Sequence, residues 1–562
     1  MATSTPSSNL PPQQYTPKGG KLRPSQVITT FGPGAVVDLP DDSVMIAGID
    51  DWPPGQVISE HRLERALDVA GFRAPAIKKF GGDIPCVRFP RTLICAKCGL
   101  IGSRKKCTSC SGETYPARII VICPSGHADE FPWDWWVHRG QACKRGGLRL
   151  INQGNTAALA DLVVRCDGCN RQRSLAGALG KQAFEQHTCR GHRPWLIAAQ
   201  PEQCDQKPRS VLRGASNVYF SSLLSALSIP PWSNPIQRVL DLHWQTLRFI
   251  PEAALTPVIA AVPDFAGFNI SDVLRAIQER HASTTTTGSL RNDEFLAFRN
   301  PGSGVNDPDF QILSETVPDA FRTHLVRVVL APRLREVRVL QGFTRIDPPD
   351  SEDSNQLLAP ISLNPQNWLP AIEHRGEGIF IELIEDRLLA WEARPEVQRR
   401  MHNLEQAYNH WRQQRGLPSA QPLLPRSVLL HTLGHLLIRQ LSLDCGYSSS
   451  SLRERVYAGA QMAGLLIYTA SADSDGSLGG LVQQGRKERF GATLQALLES
   501  AQWCSSDPLC SEHNPVHTDR LTGAGCHACC LIAETSCEMS NRLLDRALVR
   551  DLAEIRGTGY FS

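Results

Sequence analysis

The chain has 562 residues, 41% hydrophobic and 20% charged, with a formal net charge of +3. This length exceeds what one hydrophobic core serves, so about three or four domains are expected, and core-building area is ample enough to make disulfide staples unnecessary. No run of about 18 apolar residues occurs, which excludes a membrane-spanning helix.

At the N-terminus, "MATSTPSSNLPPQQYTPKGG" lacks the apolar core of a signal peptide and predicts a disordered Pro/Ser/Gln tail over 1–22. The chain therefore reads as intracellular, with a cytoplasmic location expected. In a reducing compartment, clustered cysteines serve as metal ligands more often than as disulfides. Of the 18 cysteines, eleven fall from Cys86 to Cys204 and six from Cys504 to Cys537, with Cys445 alone between them.

After an N-terminal segment (23–92), "CAKCGLIGSRKKCTSC" opens a cysteine-rich region expected over 93–215. Cys95, Cys98, Cys107 and Cys110 form two C-x2-C turns. Each turn presents two thiolates to one ion, and two turns complete a tetrahedral zinc site with bonds of about 2.3 Å. The loop between them is basic and contains glycine, as in zinc ribbons. A second site is less complete. Cys166 and Cys169 of "RCDGCNRQRSL" make one knuckle, and "HTCRGHRPW" adds Cys189, with His187 and His192 nearby. Cys143 and Cys123 compete for the fourth place. Cys143 is preferred, because Cys123 closes "ARIIVIC", a predicted buried strand in which a cysteine is ordinarily inert packing.

Between these sites, "CPSGHADEFPWDWWVH" offers His127, Asp129 and His138, but it reads as an aromatic plug of Phe131, Trp133, Trp135 and Trp136. Charge separates this region from the rest of the chain: from Cys95 to Arg213 there are 18 Lys/Arg against 9 Asp/Glu. A basic segment on an otherwise acidic chain predicts a surface that tracks DNA phosphates. Arg104, Lys105, Lys106, Arg171 and Arg173 are the candidate contacts, and the aromatics are available to stack on unpaired bases.

A mixed α/β domain is expected over 216–425. "ASTTTTGSLRNDE" and "NPGSGVNDPDF" predict loops. "HLVRVVLAPRLREVRVLQGFTRI" and "GEGIFIELI" predict strands, and "DRLLAWEARPEVQRRMHNLEQAYNHWRQQRG" predicts helices with a charged face. In "SVLLHTLGHLLIRQLSLDCGYSSSSLRERVY", His431 and His435 have the spacing of a zincin pair, but Thr432 stands where the general-base Glu belongs. Both are expected to be core histidines. "GLLIYTASADSDGSLGGL" predicts a buried strand leading to a turn that carries Asp473 and Asp475.

Four stretches, "HTLGHLLIRQLSLDCGYSSSSLRERVY", "GLLIYTASADSDGSLGGLV", "CSSDPLC" and "GAGCHACCLIAETSCEMSNRLLDR", together resemble the MrfA-like zinc-binding domain at the C-terminus of certain DNA-repair helicases. The N-terminal "RPSQVITTFGPGAVVDLPDDSVMIAGIDDW" and "LRGASNVYF" resemble the DrmB family, helicase-associated subunits of the DISARM antiphage system. The likeness runs from Arg23 to Arg546. It implies a C-terminal zinc-binding domain over 426–562, which with the zinc-ribbon-containing N-terminal region and the mixed α/β middle makes the expected fold α+β and multidomain. It also implies that four cysteines of that last domain hold one structural zinc. Cys526, Cys529 and Cys537 are the expected ligands, with Cys510 preferred to Cys504 as the fourth and Cys530 left as packing. The implied partners are a DrmA-type helicase and DNA, with no membrane.

No G-x4-G-K-[ST] loop is found to cradle phosphates, consistent with a subunit whose motor lies on another chain. Two function classes follow. One is a non-catalytic DNA-binding partner of a helicase, with no enzymatic activity expected. The other is a metal-dependent nuclease or hydrolase acting on DNA through Asp473, Asp475 and His431 or His435.

Overall fold

The computed structural model describes residues 22–40, 42–76, 83–141, 143, 146–156, 158–230, 235–282, 290–300, 307–350, 357–469, 479–518 and 520–562. Apart from Leu22, the expected N-terminal tail lies outside them, as does the turn bearing Asp473 and Asp475.

The frame is an eight-stranded sheet. Its main strands are β1 (Phe220–Leu227), β2 (Phe310–Glu315), β3 (Leu325–Thr344), β4 (Trp368–Leu383), β5 (Leu452–Gly459) and β6 (Met462–Thr469). They run in the order β1-β3-β4-β6-β5, all antiparallel, with β2 pairing the other half of β3. The short strands Val57–Ile58 and Gly71–Arg73 join at the start of β4. In the pairing of β3 with β4 the register shifts near the start of β3, between Leu325 and Arg327, and again between Ala331 and Leu334. Pro332 sits at the second irregularity, where a residue without an N–H costs the ladder least. The sheet draws strands from three of the expected domains, 23–92, 216–425 and 426–562.

Both faces of the sheet are covered, which is why "GIFIEL" in β4 is apolar almost throughout. On one face lies the helix α2 (Pro425–Cys445), whose Leu433, Leu437 and Leu441 pack against Ile379, Ile381, Leu465 and Ile467. On the other, the helix α1 (Leu290–Arg299) packs Phe295 and Phe298 against Phe310, Phe380 and Tyr457. Phe298 and Phe380 stack at 4.6 Å. The "SLRNDE" end of an expected loop is therefore helical from Leu290. The two phenylalanines, three residues apart, share one face, and burying them outweighs the loop-like Asn and Asp.

α1 also supplies Glu294, which is wholly buried. Its carboxylate accepts from Arg455 Nε and Nη2 at 2.6 and 2.7 Å, from the Tyr457 hydroxyl at 3.1 Å and from the Leu227 amide at 3.0 Å. Arg62 Nη2 lies 3.4 Å away. One carboxylate thus joins the N-terminal segment, β1 and β5.

Arg345 acts similarly without a carboxylate. Its buried guanidinium donates to the carbonyls of Gly126 and Gly34 at 2.7 and 2.9 Å, and to that of Val218. Burial lowers its pKa to about 10. Gly34, at φ +86, passes under Phe343, where an added Cβ would lie 2.6 Å from the ring. No side chain fits there.

The region over 93–215 is built from three small three-stranded sheets. Helices Pro235–Leu247, Glu252–Ala261 and Ile270–Ala282 pack around Leu240, Ile259 and Val273 as a separate cluster. Among the described residues, no helix is long and apolar enough to cross a membrane.

Candidate metal centres

Strand ends deliver the cysteines. Leu93–Cys95 and Leu162–Cys166 each end on the first thiol of a C-x2-C turn. The residue after the second thiol is left-handed in three turns: Gly99 (φ 68), Ser111 (φ 54) and Asn170 (φ 60). Its N–H bonds back to the carbonyl of the first cysteine at 2.9–3.0 Å. This closes the turn with both sulfurs on one side. Gly and Asn at two of these positions tolerate that conformation at least cost.

Cys95, Cys98, Cys107 and Cys110 converge as their spacing predicts. Sγ separations are 3.4 Å for Cys95–Cys110 and 3.5 Å for Cys98–Cys107. A tetrahedron with ~2.3 Å bonds has edges of ~3.8 Å, so the donor set suits zinc. The Leu100 amide, with the neighbouring thiols, draws the Cys98 thiol down to about 6, towards the thiolate that binds metal.

Cys143, Cys166 and Cys169 gather too, but their fourth partner is His138, not Cys189. His138 Nε2 lies 3.4 Å from Cys169 Sγ, and its Nδ1 faces the Asp134 carbonyl and carboxylate at 3.0 and 2.9 Å. Cys189 lies instead with Cys123, His127 and Cys204. Cys123 Sγ is 3.2 Å from His127 Nδ1 and 3.9 Å from Cys204 Sγ, while His127 Nε2 meets Glu202 at 2.6 Å. Cys123 ends a buried strand as expected, yet its neighbours are donor atoms rather than inert packing. Both histidines show the carboxylate–imidazole arrangement that orients metal ligands.

The expected aromatic plug is present, with Phe131 and Trp133 at 4.6 Å and Phe131 and Trp136 at 5.6 Å. His127 and His138 flank it as donors. The signal for them in the sequence is the pair of spacings C-x3-H (Cys123–His127) and H-x4-C (His138–Cys143), which the reading as a plug passes over. His187 lies tilted against Trp135, with ring centroids 4.9 Å apart, and His192 pairs with Asp129.

In the C-terminal region Cys504, Cys510, Cys526 and Cys529 form one cluster, so both cysteines of "CSSDPLC" take part and Cys537 does not. Cys504–Cys526 and Cys510–Cys529 separations are 3.5 and 3.6 Å. Cys529 is drawn down to about 5, by the Cys510 thiol before the Cys526 amide. Cys530 is wholly buried outside the cluster, as expected, and burial pushes its thiol well up. Cys537 lies with His431, His435 and Glu454. Both histidines are core residues, as read from the sequence, but they converge on two further donors.

Among the basic candidates, Arg104, Lys105, Lys106 and Arg171 are exposed. Lys105 Nζ lies 3.3 Å from Asp42, and Lys106 pairs with Glu113. Arg173 is placed differently. Its guanidinium sits 3.8 Å over the Trp136 ring, donates to the Trp136 carbonyl at 3.2 Å, and has its pKa lowered by burial. It braces the plug.

Residues 23–220 match a domain of unknown function, DUF8724, and residues 433–530 match the MrfA Zn-binding domain. The chain is 35% identical to the DISARM protein DrmB of Bacillus paralicheniformis over 571 aligned residues, covering 93% of this chain and 99% of that protein. This chain belongs to the DrmB family. The DrmB likeness therefore spans the ribbon region, the sheet and the C-terminal clusters together. The match to the MrfA Zn-binding domain encloses all four cysteines of the C-terminal cluster. A crystal structure of the DUF1998 helicase MrfA bound to DNA overlaps 40% of this chain and 23% of that one, at 14% identity and a TM-score of 0.20. That overlap is too slight to relate the two folds.

Proposed function

We propose that this chain is a non-catalytic, zinc-stabilised DNA-binding subunit that partners a DrmA-type helicase in antiphage defence. The observation that carries this reading is the end-to-end match to DrmB, over 93% of this chain and 99% of that protein. The excess of basic residues around the cysteine clusters supports the DNA contact. The lack of a phosphate-cradling motor loop in the sequence supports reliance on a separate helicase. Zinc holds the all-cysteine and the cysteine–histidine clusters and supplies folding energy to short strands that bury little alone. All of this takes place in the cytoplasm.

Coexpression with a DrmA-type helicase should give a complex that survives purification and retains ATP turnover. Reversing charge at Arg104, Lys105 and Lys106 to Glu should weaken DNA binding on every sequence tested. The slope of log K against log salt should flatten by about one per lost phosphate contact, because fewer counterions are released. A triple variant that binds like the parent at every salt concentration would remove this loop from the DNA surface.

The nuclease alternative makes the opposite claim about cleavage. With magnesium or manganese and no partner, the chain should bind DNA and leave it intact, so Asp473→Ala and Asp475→Ala have no cutting to abolish. Cleavage by this chain alone, lost in either variant, would make it a nuclease.

A further inference from the structure

α2 carries His431 and His435 one turn apart, wholly buried, with ring centroids 4.6 Å apart. β5 turns Glu454 inward beneath them, and Cys537 arrives on the loop that follows the C-terminal cysteine knuckle. His431 Nε2 lies 3.2 Å from Cys537 Sγ and 3.1 Å from Glu454 Oε1, and His435 Nε2 is 3.5 Å from the same oxygen. All four donor atoms fall within 4.8 Å of one another.

The hydrogen bonding around this cluster leaves a place for a cation. His431 Nδ1 faces the Leu543 carbonyl at 3.4 Å, and His435 Nδ1 faces the Cys530 carbonyl at 3.0 Å. A carbonyl only accepts, so each Nδ1 carries a proton, which leaves each Nε2 as the ring nitrogen that faces the other donors and would offer its lone pair to a bound cation. Two imidazole lone pairs, a carboxylate and a sulfur then face one another, an arrangement that a metal ion stabilises. His435 Nε2 and Glu454 Oε2 are buried and make no hydrogen bond. Cys537 Sγ accepts from the amides of Met539 and Asn541 at 3.3 and 3.2 Å, as thiolates of zinc knuckles do. Gly434, between the histidines, leaves the space the carboxylate occupies: a Cβ there would lie 2.5 Å from Glu454 Oε2.

We propose that His431, His435, Glu454 and Cys537 form a further, mixed-donor zinc site, distinct from the cysteine cluster beside it. Two imidazoles, a carboxylate and a thiolate suit tetrahedral zinc. The histidines and Glu454 are closed to solvent, and Thr432 replaces a general base, so the site is structural. It fastens the loop after Cys530 to α2 and β5. The His435 bond to the Cys530 carbonyl links it to the neighbouring cluster, and it straddles the limits of the matched zinc-binding domain, 433–530. It depends on neither DNA binding nor a helicase partner.

The test is zinc content of the full-length protein, by mass spectrometry after dialysis with excess zinc and gel filtration. The five donor clusters among the described residues predict five zinc ions per chain. His435→Ala should bind one fewer. His435→Cys exchanges one donor for another. It should keep the parental count, and its cobalt-substituted form should gain sulfur-to-cobalt charge-transfer absorption over the parent. Should His435→Ala fail to fold, the parental count and the His435→Cys cobalt spectrum still decide the matter. A parent with four zinc ions, or a His435→Cys spectrum identical to the parent's, overturns the site and leaves a buried histidine–carboxylate network.

Discussion

Cys526→Ser protein should be insoluble or partly unfolded and should lose zinc. After the helix Lys487–Ala501, the described regular structure consists of short 3-10 turns and the four-residue helix Arg546–Val549. Such a stretch buries little apolar surface through secondary structure of its own. Structural zinc binds with apparent free energies of about 10–16 kcal/mol. That is comparable to the whole net stability of a domain, about 5–15 kcal/mol. Cys95→Ser should act the same way on the ribbon, where Leu93–Cys95, Ile101–Gly102 and Thr114–Pro116 are too short to hold without the ion. Soluble yield, far-UV circular dichroism and zinc content measure the outcome. A variant that keeps its fold and melting temperature after losing the ion would show that these clusters are dispensable to folding.

Glu294→Ala should destabilise the protein by about 3–5 kcal/mol, the usual cost of breaking a buried ion pair. The change takes from Arg455, itself fully buried, its closest carboxylate, and removes the acceptor for the Leu227 amide and the Tyr457 hydroxyl. Replacing Glu294 and Arg455 together by Leu and Met should recover part of the loss, because no charge then stays buried alone. Chemical denaturation of the two variants checks this, and equal losses in both would mean that packing, not charge, holds the joint.

The pH dependence has a definite sign. Burial alone would push the Glu294 carboxyl up, but Arg455, with Arg62 and Arg291, outweighs it and holds the pKa below the ordinary carboxylate value. A lowered folded pKa stabilises fully above the unfolded value of about 4.3, and the contribution is lost as pH falls through the folded value. The stability gap between parent and Glu294→Gln should therefore be constant near neutrality and narrow on acidification below about pH 4.

The large sheet was legible where strands are long: β3 and β4 announce themselves by β-branched runs. α1 was not, because Asn292 and Asp293 mimic a loop, and only the phenylalanine-lined face of the sheet rewards the helix. The expected boundary near 216 follows the end of the basic, cysteine-rich region, and that at 426 follows the resemblance to the MrfA-like domain. Strand pairing respects neither, and the sheet takes β5 and β6 as neighbours of β4.

The sequence by itself determined the C-x2-C knuckles. Two thiols three residues apart, followed in the N-terminal region by Gly99, Ser111 or Asn170, close a turn through local hydrogen bonds, and no distant contact is needed to aim them. It also determined that the basic residues gather in the same region, since charge needs no fold to be counted. Tertiary structure alone decided which donors complete each knuckle. Cys189 meets Cys123 because the strand Ile119–Ile122 ends beside it, and His138 reaches Cys169 because the helix Trp133–His138 packs on the strands Leu162–Cys166 and Gln172–Ser174. Cys537 leaves the cysteine cluster for His431, His435 and Glu454 because its loop passes α2 and β5. A tetrahedral shell takes donors from chain segments far apart in sequence, so the last ligands depend on how strands and helices pack.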